Sequence, residues 1–136
     1  MNKLSTKRLV AAAVIERDGR ILIGKRKRNS YLGGKWEFPG GKAKEHETPE
    51  ACLRRELLEE LGIEARIGEL ICMNHDVRDS RFPVYLAVYR AVHLSGEIQL
   101  NDHEEIRWVL PEELSAYDFL EADIPVIEKI LEGLRL

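Results

Sequence analysis

Short apolar runs broken by glycine, proline and charge dominate the first two thirds of the chain, and helical spacing takes over in two places. Leu9 to Ile15 is an apolar run that ends in Glu16-Arg17-Asp18-Gly19 and resumes at Ile21 to Lys25. Asp-Gly between two such runs marks a tight turn, so this pair predicts a β-hairpin. Lys25 to Asn29 follows as a basic loop or strand end. Trp36-Glu37-Phe38-Pro39-Gly40-Gly41 reads as a strand end running into a turn where glycine lets backbone approach a ligand closely. Ala65 to Met73, Pro83 to Leu94 and Glu104 to Val109 predict further strands, and Pro111 to Ala116 a short helical turn. Asp123 to Leu134 predicts a closing amphipathic helix with Ile124, Ile127, Ile130, Leu131 and Leu134 inward. Strands around one long helix, with a second helix at the end, predict an α/β fold with a mixed sheet between helices.

The long helix has legible ends. Thr48 is a good N-cap, Pro49 a good first-turn residue, and Gly62 sits where a left-handed C-terminal residue is wanted, so the helix runs from about Pro49 to Leu61. At about 100° per residue Glu56, Glu59 and Glu60 share one face, and Leu57, Leu58 and Leu61 the other. Like charges at i, i+3 and i, i+4 repel by a few tenths of a kcal/mol per pair on a bare helix, and by more where water is partly excluded. A cation is therefore expected among these carboxylates. Mg²⁺ suits them best, because hard oxygen ligands match it and it bridges carboxylates to substrate phosphates; Mn²⁺ is expected to substitute. A merely solvated, salt-bridged helix would instead place basic residues at i+4 from its acids, and these three have none.

From Gly41 to Ile63 the chain resembles the Nudix box of the Nudix hydrolases: Gly, five residues, Glu, seven residues, Arg-Glu-apolar-any-Glu-Glu-any-Gly-apolar. Gly41, Glu47, Arg55, Glu56, Leu57, Glu59, Glu60, Gly62 and Ile63 fill every specified slot. The Trp-Glu-Phe-Pro-Gly-Gly-Lys run from Trp36 to Lys42 and the Ala-Asp-Ile-Pro-Val-Ile run from Ala122 to Ile127 are similar to the MutT branch, which cleaves nucleoside triphosphates. The resemblance implies a Nudix α/β/α sandwich. It implies that Glu56, Glu60 and the Gly40 carbonyl ligate Mg²⁺, that Glu59 binds a further metal or helps activate water, and that Arg55 and Glu47 support the box carboxylates. It places a late metal-site carboxylate six residues before Trp108, where this chain has Asp102, with Glu104 the next candidate. Arg26 falls near the nucleotide, Lys42 where a phosphate could sit, Phe38 beside the base, and Asp123 at the base-reading position. Phe38 as core and Asp123 as the N-cap of the last helix are the plainer alternatives, and His103 reads as a loop histidine without a ligand role.

Length and charge agree with a small enzyme. At 136 residues, 44% of them apolar, one domain over residues 1–136 is expected, with 1–7 frayed. A net charge of −3 argues against a nucleic-acid polymer as partner. Cys52 and Cys72 lack metal-ligand spacing and are expected to be free thiols. With no 18-residue apolar stretch and no signal-peptide core, no membrane association is expected, and a cytoplasmic monomer or weak homodimer is the default.

These readings converge on Mg²⁺-dependent hydrolysis of nucleoside triphosphates to monophosphate and pyrophosphate. Asp123, an acceptor when ionised, favours base edges rich in N–H groups. That puts 8-oxo-dGTP first, as nucleotide-pool sanitation, and CTP or 5-modified dCTP second. A catalytically dead nucleotide-binding Nudix module would be expected to have lost box glutamates, and this chain keeps them. No feature points to ADP-ribose or dinucleoside polyphosphates.

Overall fold

A computed structural model describes residues 8–76 and 84–133. In chain order the elements are β1 (Arg8–Arg17), β2 (Arg20–Arg26), β3 (Trp36–Glu37), β4 (Gly40–Lys42), α1 (Pro49–Leu61), β5 (Glu64–Asp76), β6 (Val84–Ser95), β7 (His103–Val109) and α2 (Ile124–Leu131), with 3-10 turns at Pro111–Ala116 and Glu121–Asp123. The β1–β2 hairpin closes on two residues with positive φ, Asp18 at 52° and Gly19 at 76°, which matches the twist of the flanking strands.

β1 runs parallel to β6 from Arg8↔Val84 to Ile15↔Ala91 and antiparallel to β2 and β4; β5 adds antiparallel to β6, and β7 to β2. The sheet is therefore mixed, ordered β3-β2-β1-β6-β5 with β4 on β1 and β7 on β2. Ala11 to Ile15 are all buried, so β1 is a continuous apolar run because both its faces are covered. Ala11, Ala13 and Ile15 pack with Leu22 under Cys52, Leu53, Leu57 and Leu61 of α1. Ala12 and Val14 pack on the opposite face with Leu86, Val88, Phe38, Phe119 and the α2 residues Val126, Ile127 and Ile130. This is the α/β/α arrangement the sequence predicts. Cys52 and Cys72 are free thiols.

α1 keeps its predicted ends. Thr48 Oγ1 accepts the Ala51 N–H at 3.1 Å, and Gly62 adopts φ 69°. Its faces need correction: Leu58 is 54% exposed, whereas Glu60 is only 7% exposed. Leu53, Leu57 and Leu61, spaced i, i+4, i+8, form the buried ridge, and Glu60 lies on the shoulder of that ridge while Leu58 is turned away from it. α2 also differs from expectation. It begins at Ile124, and Ile124 and Leu131 are exposed while Val126, Ile127 and Ile130 face the core. The inward stripe therefore starts at Val126, two residues later than expected. Leu134 and Pro83 lie outside the described residues.

Candidate active site

Close backbone approach builds the floor of the site. Gly40 pairs with Ala12 across β4 and β1, and a Cβ on Gly40 would sit 1.9 Å from the Ala11 carbonyl oxygen. A Cβ on Gly41 would sit 2.4 Å from the Glu56 carboxyl. Only glycine at these positions lets β4 lie flush on β1 while the acidic face of α1 comes down on it.

Arg55 organises the carboxylates above this floor. Its Nε and Nη2 donate to Glu47 Oε2 and Oε1 at 2.8 and 2.9 Å, a bidentate pair, and its Nη1 donates to Glu56 Oε2 at 2.9 Å and Glu59 Oε1 at 3.1 Å. Nη2 also donates to the Lys42 carbonyl at 3.0 Å, which ties α1 to β4. The bonds from Arg55 and from the Lys44 N–H hold Glu47 down at about 2. Part of the cationic charge expected among the box acids is thus supplied by the chain itself. Glu60 receives none of it. Burial first, then the charges of Glu37, Glu56 and Asp102, push Glu60 up to about 9, against a hydrogen bond from the Gly40 N–H. Its Oε1 is buried without a hydrogen-bond partner among the described residues.

Among the described residues no three His, Cys, Asp or Glu side chains are drawn together into a finished metal cage. The donor set nevertheless fits a hard cation. A buried carboxylate oxygen with no donor, in the field of three further carboxylates, is satisfied either by a proton or by a divalent ion that replaces it.

The NUDIX domain family model matches residues 6–130. This chain belongs to the Nudix family. It is 40% identical over 122 residues to the CTP pyrophosphohydrolase of Escherichia coli strain K12, spanning 90% of each chain. It is 38% identical over 122 residues to a putative 8-oxo-dGTP diphosphatase 2 of Mycobacterium tuberculosis, spanning 85% of this chain and 82% of the relative. The crystal structure of a MutT NUDIX hydrolase from Burkholderia pseudomallei superposes with a TM-score of 0.79 at 32% identity, over 90% of this chain and 97% of that one. The chain is a Nudix hydrolase acting as a nucleotide pyrophosphohydrolase, a class whose members generally use a divalent metal ion.

This Nudix hydrolase places the remaining candidates as follows. Asp102 lies within electrostatic reach of Glu60. Glu104 is turned toward the basic run instead: it lies 3.6 Å from Lys25 Nζ and 3.6 Å from Arg28 Nε, and accepts the Arg28 N–H at 3.1 Å. Arg26 donates to Glu37 Oε1 at 3.1 Å and to the Tyr31 carbonyl at 2.9 Å. Lys42 is exposed on β4. The Phe38 ring is 3% exposed and packs against Phe119 at 5.2 Å, so it belongs to the core. Asp123 makes no capping bond to α2; its Oδ2 accepts the Phe38 N–H at 3.2 Å. Asp123 thus holds the N-cap position of α2, but its buried carboxyl is spent on joining α2 to the strand end before the glycine turn instead of capping the helix. Burial, helped by Glu37, pushes Asp123 up to about 7 against that hydrogen bond.

Two residues emerge only from the structure. His103 is 2% exposed and pairs through Nε2 with Glu37 Oε2 at 2.8 Å, which corrects its reading as a surface loop residue. Glu37, clamped between Arg26 and His103, is felt by both Glu60 and Asp123 and so links the box carboxylates electrostatically to Asp123. Its sequence signal is its place in the Trp36 to Lys42 run, as a carboxylate between two aromatics.

Proposed function

We propose that this Nudix hydrolase is a Mg²⁺-dependent nucleoside triphosphate pyrophosphohydrolase that releases a nucleoside monophosphate and pyrophosphate in the cytoplasm. The observation that carries the reading is the buried Oε1 of Glu60, unpartnered among the described residues and in the field of Glu37, Glu56 and Asp102. Glu56, Glu60 and the Gly40 carbonyl would hold Mg²⁺, with Glu59 and Asp102 at its margin. Bound there, the ion supplies charge neutralisation on the phosphate oxygens. Arg55 keeps Glu56 and Glu59 oriented. Glu59, 53% exposed at its side chain and held among the described residues by Arg55, is the box carboxylate best able to swing to a water and take its proton. Lys42 and Arg26 supply positive charge toward the triphosphate. Release of pyrophosphate from a panel of nucleoside triphosphates, with Mg²⁺ and with chelator, tests the reaction directly. Release of orthophosphate alone would rule it out.

The base read by this site is 8-oxo-guanine, whose N1–H and N2–H₂ edge suits an acceptor at Asp123. A second reading, CTP or 5-modified dCTP, is favoured by the likeness to the E. coli CTP pyrophosphohydrolase. Asp123→Asn separates base reading from structure. Replacing an acceptor by an amide donor is expected to change the ranking of kcat/KM across the panel by about tenfold or more. The melting temperature at pH 8 is not expected to fall, because the variant also removes an ionised buried carboxylate. An unchanged ranking would move the search for the base pocket to Arg26 and its neighbours.

The two late carboxylates are separated by kinetics. Asp102→Asn is expected to lower kcat by about 10- to 100-fold with KM nearly constant, whereas Glu104→Gln, whose carboxylate pairs with Lys25 and Arg28, stays within about twofold of wild type. If Glu104→Gln proves the more damaging variant, the assignment of the late carboxylate is reversed.

A further inference from the structure

The last turn of an α-helix leaves four carbonyls without intrahelical donors of the usual kind, and each must find a partner. In α1, Leu58 O accepts from the Gly62 N–H at 3.0 Å. Leu61 O accepts from the Gln99 N–H at 2.8 Å, and Glu60 O from the Asn101 N–H at 3.2 Å. Glu59 O accepts from the Asn101 side-chain amide at 3.1 Å. Three of the four donors come from the segment between β6 and β7, and two come from Asn101. The same residue is fixed from its other sides, since its amide also reaches Gln99 Oε1 at 3.3 Å and its carbonyl accepts from Lys27 Nζ at 3.4 Å.

Asn101 thus grips the backbone of two of the three residues whose side chains form the acidic face of the box, Glu59 and Glu60, and Asp102 comes next in the chain. Asp102 is exposed and makes no hydrogen bond of its own among the described residues, so its side chain is placed by its backbone alone. On its far side His103 is buried, bonded to Glu37, and pressed over Gly24, where a Cβ would come within 2.6 Å of the imidazole ring. A register shift between Lys25 and Arg26 in the β2–β7 ladder sets Arg26 opposite His103 and skips Glu104, which turns that residue outward toward Lys25 and Arg28. Asp102 therefore sits between two anchored neighbours while the carboxylate two positions on is steered away.

We propose that Asn101 is a positioning residue of the reaction, which sets Asp102 against the box carboxylates by tying its backbone to the end of α1. The proposal rests on Asp102 being the late carboxylate of the pyrophosphohydrolase site. Asn101→Ala is expected to lower kcat about tenfold with KM within about twofold, the size typical of lost outer partners of a metal-site ligand. The decisive measurement is a double-mutant cycle. In an Asp102→Asn background the same substitution is expected to change kcat by less than about twofold, because the group it positions is already disabled. A merely structural Asn101 would lower kcat by the same factor in both backgrounds, and that additivity overturns the proposal, as does an unchanged kcat in Asn101→Ala alone. Should Asn101→Ala fail to fold, the cycle is run with Asn101→Ser, which, like alanine, keeps the backbone bond to Glu60 O and loses the amide, but retains a polar side chain. Wild-type turnover by Asp102→Asn brings down the late-carboxylate reading and the proposal with it, whereas additive losses overturn the proposal alone.

Discussion

Glu60→Gln is expected to lower kcat by about a hundredfold or more, and Glu56→Gln to do the same, because each removes one anionic oxygen from the set that would hold Mg²⁺. The two variants differ in how they affect the fold. Glu56 is held by Arg55 Nη1 at 2.9 Å, so its amide leaves a guanidinium donor partly unpaired. Glu60 has no cation, is 7% exposed, and carries an orphaned oxygen; its amide has the same shape and no charge to bury. Glu60→Gln is therefore expected to melt higher than wild type in chelator at pH 8, and Mg²⁺ is expected to stabilise it far less than wild type. Steady-state kinetics and thermal melts with Mg²⁺ and with chelator check both halves. Retention of more than about a tenth of wild-type turnover by either variant is incompatible with a ligand role of this size.

Without metal, the protein is expected to lose stability steadily as pH rises from about 5 to 9. Glu60 and Asp123 both titrate higher in the fold than in the unfolded chain, Glu60 from 4.5 to about 9 and Asp123 from 3.8 to about 7. Between its two values each group binds more protons when native, so the slope of unfolding free energy with pH is negative there and vanishes above the native value. Asp123 contributes between about 4 and 7, and Glu60 between 4.5 and about 9. At 1.36 kcal/mol per unit the Glu60 part has a ceiling of roughly 6 kcal/mol, which relaxation and water entry reduce to a few. Glu47 acts in the opposite sense, since its value lies at about 2: the stability it contributes is present above 4.5 and disappears as pH falls toward 2. Urea melts in chelator at pH 5, 7 and 9 test the slope. Glu60→Gln is expected to flatten it above pH 7, and Mg²⁺ to oppose it in wild type, because cation binding displaces the Glu60 proton and favours the ionised form. A wild-type curve level from pH 5 to 9 would show that Glu60 carries no such burden.

Much of the framework was readable from local chemistry. The hairpin follows from Asp18-Gly19, whose two positive φ values fit the strand twist, and the span of α1 follows from Thr48 and Gly62, which satisfy the first and last turns. The spacing of Glu47, Arg55, Glu56, Glu59 and Glu60 identified the family because it places those groups on one helical surface and the loop before it. Helical period yields relative angles only. It could not tell which edge of the acidic face would be buried, so Leu58 was expected inward and Glu60 outward, and packing of the Leu53, Leu57 and Leu61 ridge reversed both.

The sequence by itself determined the main elements, the ends of α1, the acidic surface of the box helix and the family, since each of these depends on residues that are neighbours along the chain. Tertiary structure alone decided the partners. Asp123 meets Phe38 across 85 positions, His103 meets Glu37 across 66 and Asn101 meets Glu59 across 42, and no local rule of period or capping reaches so far. The same holds for the protonation of the site. A glutamate in sequence is an ordinary acid; Glu60 becomes a weak one only when the fold removes its water and brings Glu37, Glu56 and Asp102 around it, because desolvation and like charge act through space and not along the chain.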